Sequence, residues 1–328
     1  MLPKIAKDTK AGEMARSQIR DYDELLSAQQ NALEVLANLC AGGVAPPSAD
    51  DGDGGAAPAH GGLEAEIEAA VAGLAEGGAA QAVLALCAPV DSALQQVLSG
   101  HHEVGLPIFE KFVQVQSRAF AFLANLLTQV SAAEDADFAA TVLRHGGRAA
   151  IDPPAGHDSD LIDAATGAVW AALRGAAEAE ALDGLELTPD QAEAFCEVAT
   201  TIPPGDTAAV NVAGILGCMG QGTAMGPALG VLAASLVSAL EAGGAVLAEQ
   251  GSPWLLAEAL NSIFDVYAEP EANEVVAEVG MLDTLQASLS ALETALAEGA
   301  LSDEDAADKA AEAAENLANF LDYKAAQE

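Results

Sequence analysis

At 328 residues the chain has room for a large core or an extended array, and its 12 Lys+Arg against 50 Asp+Glu give a formal net charge of -38. A surface of that sign repels nucleic-acid phosphates and anionic lipid, so neither direct nucleic-acid binding nor membrane association is expected, and a basic partner is. Alanine and leucine dominate, aromatics make up 4 %, and runs of β-branched residues are scarce, which is a helical composition.

Residues 1–12 are polar, and a long helical pattern then runs from Glu13 to Cys40 through Ile19, Tyr22, Leu25, Leu26, Leu33, Leu36 and Leu39. Residues 41–62 break it with Pro46, Pro47, Pro58, many glycines and the acids Asp50, Asp51 and Asp53, and read as a flexible acidic loop. Helical patterns resume at Leu63–Leu74, Ala79–Cys87, Val90–Leu98 and Leu106–Val130, and over Asp135–Arg144, where Gly146-Gly147 is read as the stop. Ser159 or Asp160 caps the helix that contains Trp170. Thr188-Pro189-Asp190-Gln191 opens the next with a cap residue, proline at the first position and early negative charge.

Thr207 to Leu240 contains no charge. The breaks at Gly220-Gln221-Gly222-Thr223 and Gly226-Pro227 divide it into pieces short of the roughly 20 residues a membrane span needs, so two buried helices are expected. In the helix that follows Pro253, Leu256, Ala259, Leu260, Ile263, Phe264 and Tyr267 recur at spacings of three and four and share one face. Ser252 is placed at the cap and Pro253 at the first helical position. Glu258, Asn261 and Asp265 form a second, polar stripe, with both acids expected at the surface. Further helices are expected at Asn273–Glu278, Met281–Leu296 and Ser302–Ala326. There is no convincing strand pair.

The helices containing Asn38, Asn125, Val169-Trp170, Ile215 and Asn261 recur with steps of 87, 44, 46 and 46, the first about twice the second. A period of roughly 40–47 residues with two or three helices per unit signals HEAT or armadillo repeats, here about five to seven of them. The expected fold is an all-α, armadillo/HEAT-type α-solenoid superhelix. Residues 1–40 form N-terminal repeat helices, 41–62 the loop and 63–328 the solenoid proper. Asn38, Asn125, Asn261 and Asn319 lie on the last helices of their units, where paired amide donors and acceptors can clamp an extended backbone. Trp170 and Trp254 can wall such a groove.

Between Arg174 and Lys309 there are 23 acids and no basic residue. Cys40, Cys87, Cys196 and Cys218 are scattered without a CxxC and read as reduced core residues. Gly220-Gln-Gly-Thr-Ala-Met-Gly226 resembles a loosened dinucleotide turn, but it lacks the strand and the βαβ unit that would bring pyrophosphate to a helix N-terminus. His101-His102 has no second ligand pair at metal-binding spacing. No nucleophile–base set and no phosphate-cradling lysine motif can be argued. No enzyme, metal or cofactor is expected.

The stretch Leu26-Ser-Ala-Gln-Gln-Asn-Ala-Leu-Glu-Val-Leu-Ala-Asn-Leu-Cys40, followed by an acid-bearing loop, resembles the symportin family, also called HEAT-repeat-containing protein 3. Val210-Asn-Val-Ala-Gly-Ile-Leu-Gly217 is similar to a later repeat of that family. Glu258-Ala-Leu-Asn-Ser-Ile-Phe-Asp-Val-Tyr267 and Glu315-Asn-Leu-Ala-Asn-Phe-Leu-Asp-Tyr-Lys324 look like its C-terminal helices. The resemblance implies a ribosomal-protein chaperone and nuclear import adaptor. Its clients would be the basic large-subunit proteins that join 5S RNA, it would support 5S ribonucleoprotein assembly, and it would work in cytoplasm and nucleus. One client's basic segment would lie in the groove with Asn125, Trp170, Trp254, Glu258, Asn261 and Asp265, and the other on the loop with Asp50, Asp51 and Asp53. An importin is a further implied partner, although the family's N-terminal half with its importin-binding signal has no counterpart in this sequence. The loop has only three acids where the family's is strongly acidic. The rival reading is a general interaction scaffold whose acidity serves only solubility.

Overall fold

In the computed structural model the described residues are 10–41, 69–74, 77–89, 96, 105–129, 136–153, 159–185 and 187–327, and among them there is no strand. They fold as an all-α helical-repeat solenoid in two compact units, Met1–Ala172 and Leu173–Glu328. The loop read at 41–62 lies outside the described residues except for Ala41.

The first unit holds α1 (Lys10–Ala41), α2 (Ala79–Leu84), α3 (Gly105–Gln129), α4 (Ala136–Ile151) and the first turns of α5 (Ser159–Glu178). α1 lies directly on α3. The two run parallel, because the bonds between them advance together along both helices. Lys111 Nζ donates to Asp23, Gln30 Nε2 to Gln114 Oε1, Asn125 Nδ2 to the Ala37 carbonyl and Gln129 Nε2 to the Cys40 carbonyl. Parallel neighbours are what the same helix of successive repeats gives. α1 and α3 are therefore neighbours although 87 residues separate Asn38 from Asn125, and sequence spacing by itself does not register which helices pack side by side.

α4 does not stop at Gly146-Gly147 but runs on to Ile151. A Cβ on Gly146 would lie 2.6 Å from Val169 Cγ2 and 3.1 Å from the Ala165 carbonyl oxygen. The glycine lets α4 approach α5 while remaining helical, at the modest propensity cost glycine carries.

The second unit repeats one pattern, a short leading turn followed by two longer helices. The turns begin at Leu182, Thr223 and Pro270. They lead to α6 (Pro189–Thr201) with α7 (Thr207–Gln221), to α8 (Leu229–Gln250) with α9 (Trp254–Tyr267), and through α10 (Asn273–Glu278) to α11 (Met281–Glu298) with α12 (Glu304–Ala325). These starts are 41 and 47 residues apart, within the armadillo/HEAT range. α7 lies on α9 and α9 on α12, while α6, α8 and α11 pack as the second row.

Local signals set the helix ends. Thr188 Oγ1 accepts from Gln191 N while Gln191 Oε1 accepts from Thr188 N at 2.9 Å, a capping box that starts α6 at Pro189. Asp303 Oδ1 accepts from Ala306 N at 2.8 Å and caps α12. α9 begins at Trp254, so Pro253 rather than Ser252 holds the cap position, and no side chain caps it.

The stripe Leu256, Ala259, Leu260, Ile263 and Tyr267 is fully buried. Burial of each large aliphatic contributes roughly 1.5–3 kcal/mol, an upper figure because the unfolded chain already hides part of this surface. Tyr267 Oη donates to the Leu229 carbonyl at 2.8 Å, tying the end of α9 to the start of α8. Phe264 meets Phe320 of α12 with ring centroids 4.7 Å apart. At the other end of the layer Gly251 takes φ 67°. Its carbonyl accepts from Ser302 N at 3.1 Å, and a Cβ would run into the Ala300 carbonyl.

α8 differs from its sequence reading. It continues past Glu241 to Gln250 for 22 residues, so it is long and apolar enough to cross a membrane. Here α6, α9 and α11 pack against it and bury Leu232, Leu236, Leu240 and Leu247, while Val231 stays exposed.

Candidate partner-binding ridge

α9 places Trp254, Glu258, Asn261 and Asp265 at spacings of four, three and four, so they line one face. That face is the polar counterpart of the buried stripe. Trp254 is 44 % exposed, and Asp265 is exposed. Glu258 and Asn261 are half-buried. Glu258 is therefore set deeper than its place on the polar stripe implies, because α9 has a helix packed on either side. Asp265 Oδ2 accepts from Gln221 Nε2 of α7 at 3.3 Å.

The ridge is short of positive charge. Burial raises the Glu258 carboxyl above the ordinary glutamate value, and nearby Asp265 adds to this. Lys309 and Arg174 pull against it without reversing the shift. Burial raises Asp265 as well. Both cations already have carboxylate neighbours on their own helices, Lys309 with Glu312 at 3.0 Å and Arg174 with Glu178 at 3.9 Å. The same field reaches Cys218 on α7. Its thiol is pushed up to about 12, first by burial and then by Glu258 and Asp265, so it is an inert thiol at neutral pH.

The other residues singled out by sequence are placed elsewhere. Asn125 of the first unit gives its amide to the Ala37 carbonyl at 3.0 Å and so ties α1 to α3. Trp170 is half-buried on α5 in the first unit. Asn38 and Asn319 are exposed on α1 and α12. Asp50, Asp51, Asp53 and the His101-His102 pair lie outside the described residues.

Sequence reasoning passed over Gln221, Arg174 and Lys309 as parts of this ridge. A signal for two of them was present, because Arg174 and Lys309 bracket the stretch of acids that contains no cation. Gln221 sat inside the glycine motif, whose glycines serve packing. A Cβ on Gly220 would lie 2.7 Å from Val266 Cγ2, and one on Gly217 would come within 3.0 Å of the Ser262 backbone. Ser262 Oγ instead donates to the Ala213 carbonyl at 2.9 Å. Among the described residues no three His, Cys, Asp or Glu side chains gather as metal ligands. Cys40, Cys87, Cys196 and Cys218 are free and buried.

Comparison with known proteins returns a family model described as SYO1-like, TPR repeats, matching residues 76–328. The repeat units seen here are longer than the 34 residues of a tetratricopeptide unit and carry the extra leading turn of the armadillo/HEAT kind. No curated protein matches the sequence. A crystal structure of an engineered protein is similar at 16 % identity with a TM-score of 0.43, covering 88 % of this chain and 97 % of its own. The helical repeats, their order and the family match over most of the sequence place the chain in the SYO1-like, or symportin, family of repeat proteins.

Proposed function

We propose that this chain is a non-enzymatic ribosomal-protein chaperone and nuclear import adaptor. It holds the basic large-subunit proteins that associate with 5S RNA, shields them until assembly, and works in cytoplasm and nucleus with an importin as escort. The family match carries this reading. The 23 acids between Arg174 and Lys309, unrelieved by any basic residue, are its physical complement. A basic ribosomal protein aggregates or binds RNA at random when its charge is uncovered. An acidic repeat surface steers such a client in and neutralises it. Glu258 and Asp265 are held in an environment that disfavours their charge, so an arriving cation relieves that cost as well as adding Coulomb attraction.

The test is calorimetric titration of the chain with a 5S-associated ribosomal protein at low and physiological ionic strength, beside an unrelated protein of equal basic charge. Selective binding that weakens with salt is the expected result. Equal binding to both proteins would leave only a nonspecific acidic surface. Salt-insensitive binding would favour the general scaffold.

A further inference from the structure

We propose that the face of α9 formed by Trp254, Glu258, Asn261 and Asp265 selects arginine over lysine in an extended basic segment of its partner. This deepens the reading above and rests on it for the basic partner.

Acidity alone does not distinguish the two cations. What singles out this face is an exposed tryptophan in line with the acids. Trp254 is one of two tryptophans in the chain, and it leaves 44 % of its surface open at the first turn of a helix whose other large apolar residues are buried or half-buried. Glu258 stands one turn further on, with Asn261 and Asp265 continuing the line. A guanidinium can lie flat on an indole and still direct its N–H edge at a carboxylate one turn away. An ammonium is a compact, strongly hydrated point charge that does neither well. Asn261 is half-buried beside Glu258 on the same face. Gln221 braces Asp265 from α7. Charge complementarity fixes the sign of the occupant: Lys309 and Arg174 do not reverse the upward shift of Glu258, and burial raises Asp265 beside it.

The test uses the whole chain and two peptides of equal length and charge, one alternating glycine with arginine and the other glycine with lysine. Fluorescence of labelled peptide is read at low salt. The arginine peptide is expected to bind about fivefold more tightly. Trp254→Ala should remove the preference by weakening the arginine peptide more than the lysine peptide, and Trp254→Phe should keep part of it. Circular dichroism of each variant checks that α9 remains folded. Equal affinities in the unaltered chain, or a preference that survives Trp254→Ala, would overturn the inference and leave the charge-driven chaperone reading standing. Failure of both peptides to bind would overturn both.

Discussion

Two contacts between parallel helices, α1 on α3 and α7 on α9, do the same architectural job with opposite chemistry. Long polar side chains hold α1 to α3. Lys111 reaches Asp23, Arg118 approaches Glu34 at 3.5 Å, and the Asn125 and Gln129 amides bind backbone carbonyls. α7 and α9 are joined by close approach, with Gly217 and Gly220 against Ser262 and Val266 and with Ile215, Leu256 and Ile263 fully buried. A layer that spends its polar residues on its own neighbour has fewer left to offer a partner. A layer closed mainly by glycines and aliphatics ties up fewer, here Gln221 with Asp265 and Ser262 with the Ala213 carbonyl. The same Asn-and-acid vocabulary is therefore internal stitching around Asn125 and an outward ridge around Asn261.

The sharpest way to break this contrast is Gly217→Val. The added side chain has to displace the backbone around Ser262, which no rotamer change can relieve. We expect a loss of about 2–3 kcal/mol, read as a fall in the denaturant midpoint of the second unit. A change below about 0.5 kcal/mol would show that α7 and α9 are not held by contact distance.

Asn125→Ala probes the opposite contact. It removes a single partly buried bond to the Ala37 carbonyl, so a loss of about 1 kcal/mol is expected, seen as faster hydrogen exchange along α1. Peptide binding to the α9 ridge should not change. If it fell, Asn125 would be a contact residue after all.

Glu258→Gln sharpens the contrast through pH. The folded state raises this carboxyl, so the protein holds its proton more tightly when folded than when unfolded. Stability attributable to Glu258 is then greatest at low pH and declines as pH rises from the ordinary glutamate value through the folded one. The glutamine variant should melt higher than the parent at pH 7, and the difference should vanish as pH falls below the ordinary glutamate range. A variant that melts lower at pH 7 would mean that Lys309 and Arg174 outweigh burial. The smallest effect is expected for Arg118→Ala. It removes an ion pair whose partners are both about half exposed, and should cost no more than a few tenths of a kcal/mol in thermal unfolding.

The ridge itself was legible in the sequence, because α9 is a regular helix and its two stripes follow from spacing alone. The depth of Glu258 was not, since depth depends on which helices flank α9. Chain order gave no hint that Gln221, some forty residues earlier, braces Asp265. Gly146-Gly147 was misread as a stop for a similar reason. Glycine ends helices in isolation, but here α5 makes the missing side chain useful.

Local chemistry thus determined the helices, the capping box at Thr188, the N-cap at Asp303 and the buried face of α9, because each depends on residues within a turn or two. Only the tertiary structure decided that α1 and α3 are adjacent despite a step of 87 residues. The same holds for which asparagine is stitching and which lies on the ridge, and for how far Glu258 is withdrawn from water. Helical register is set every 3.6 residues by the backbone, whereas adjacency and burial are set by the helix that packs alongside, wherever it lies in the chain.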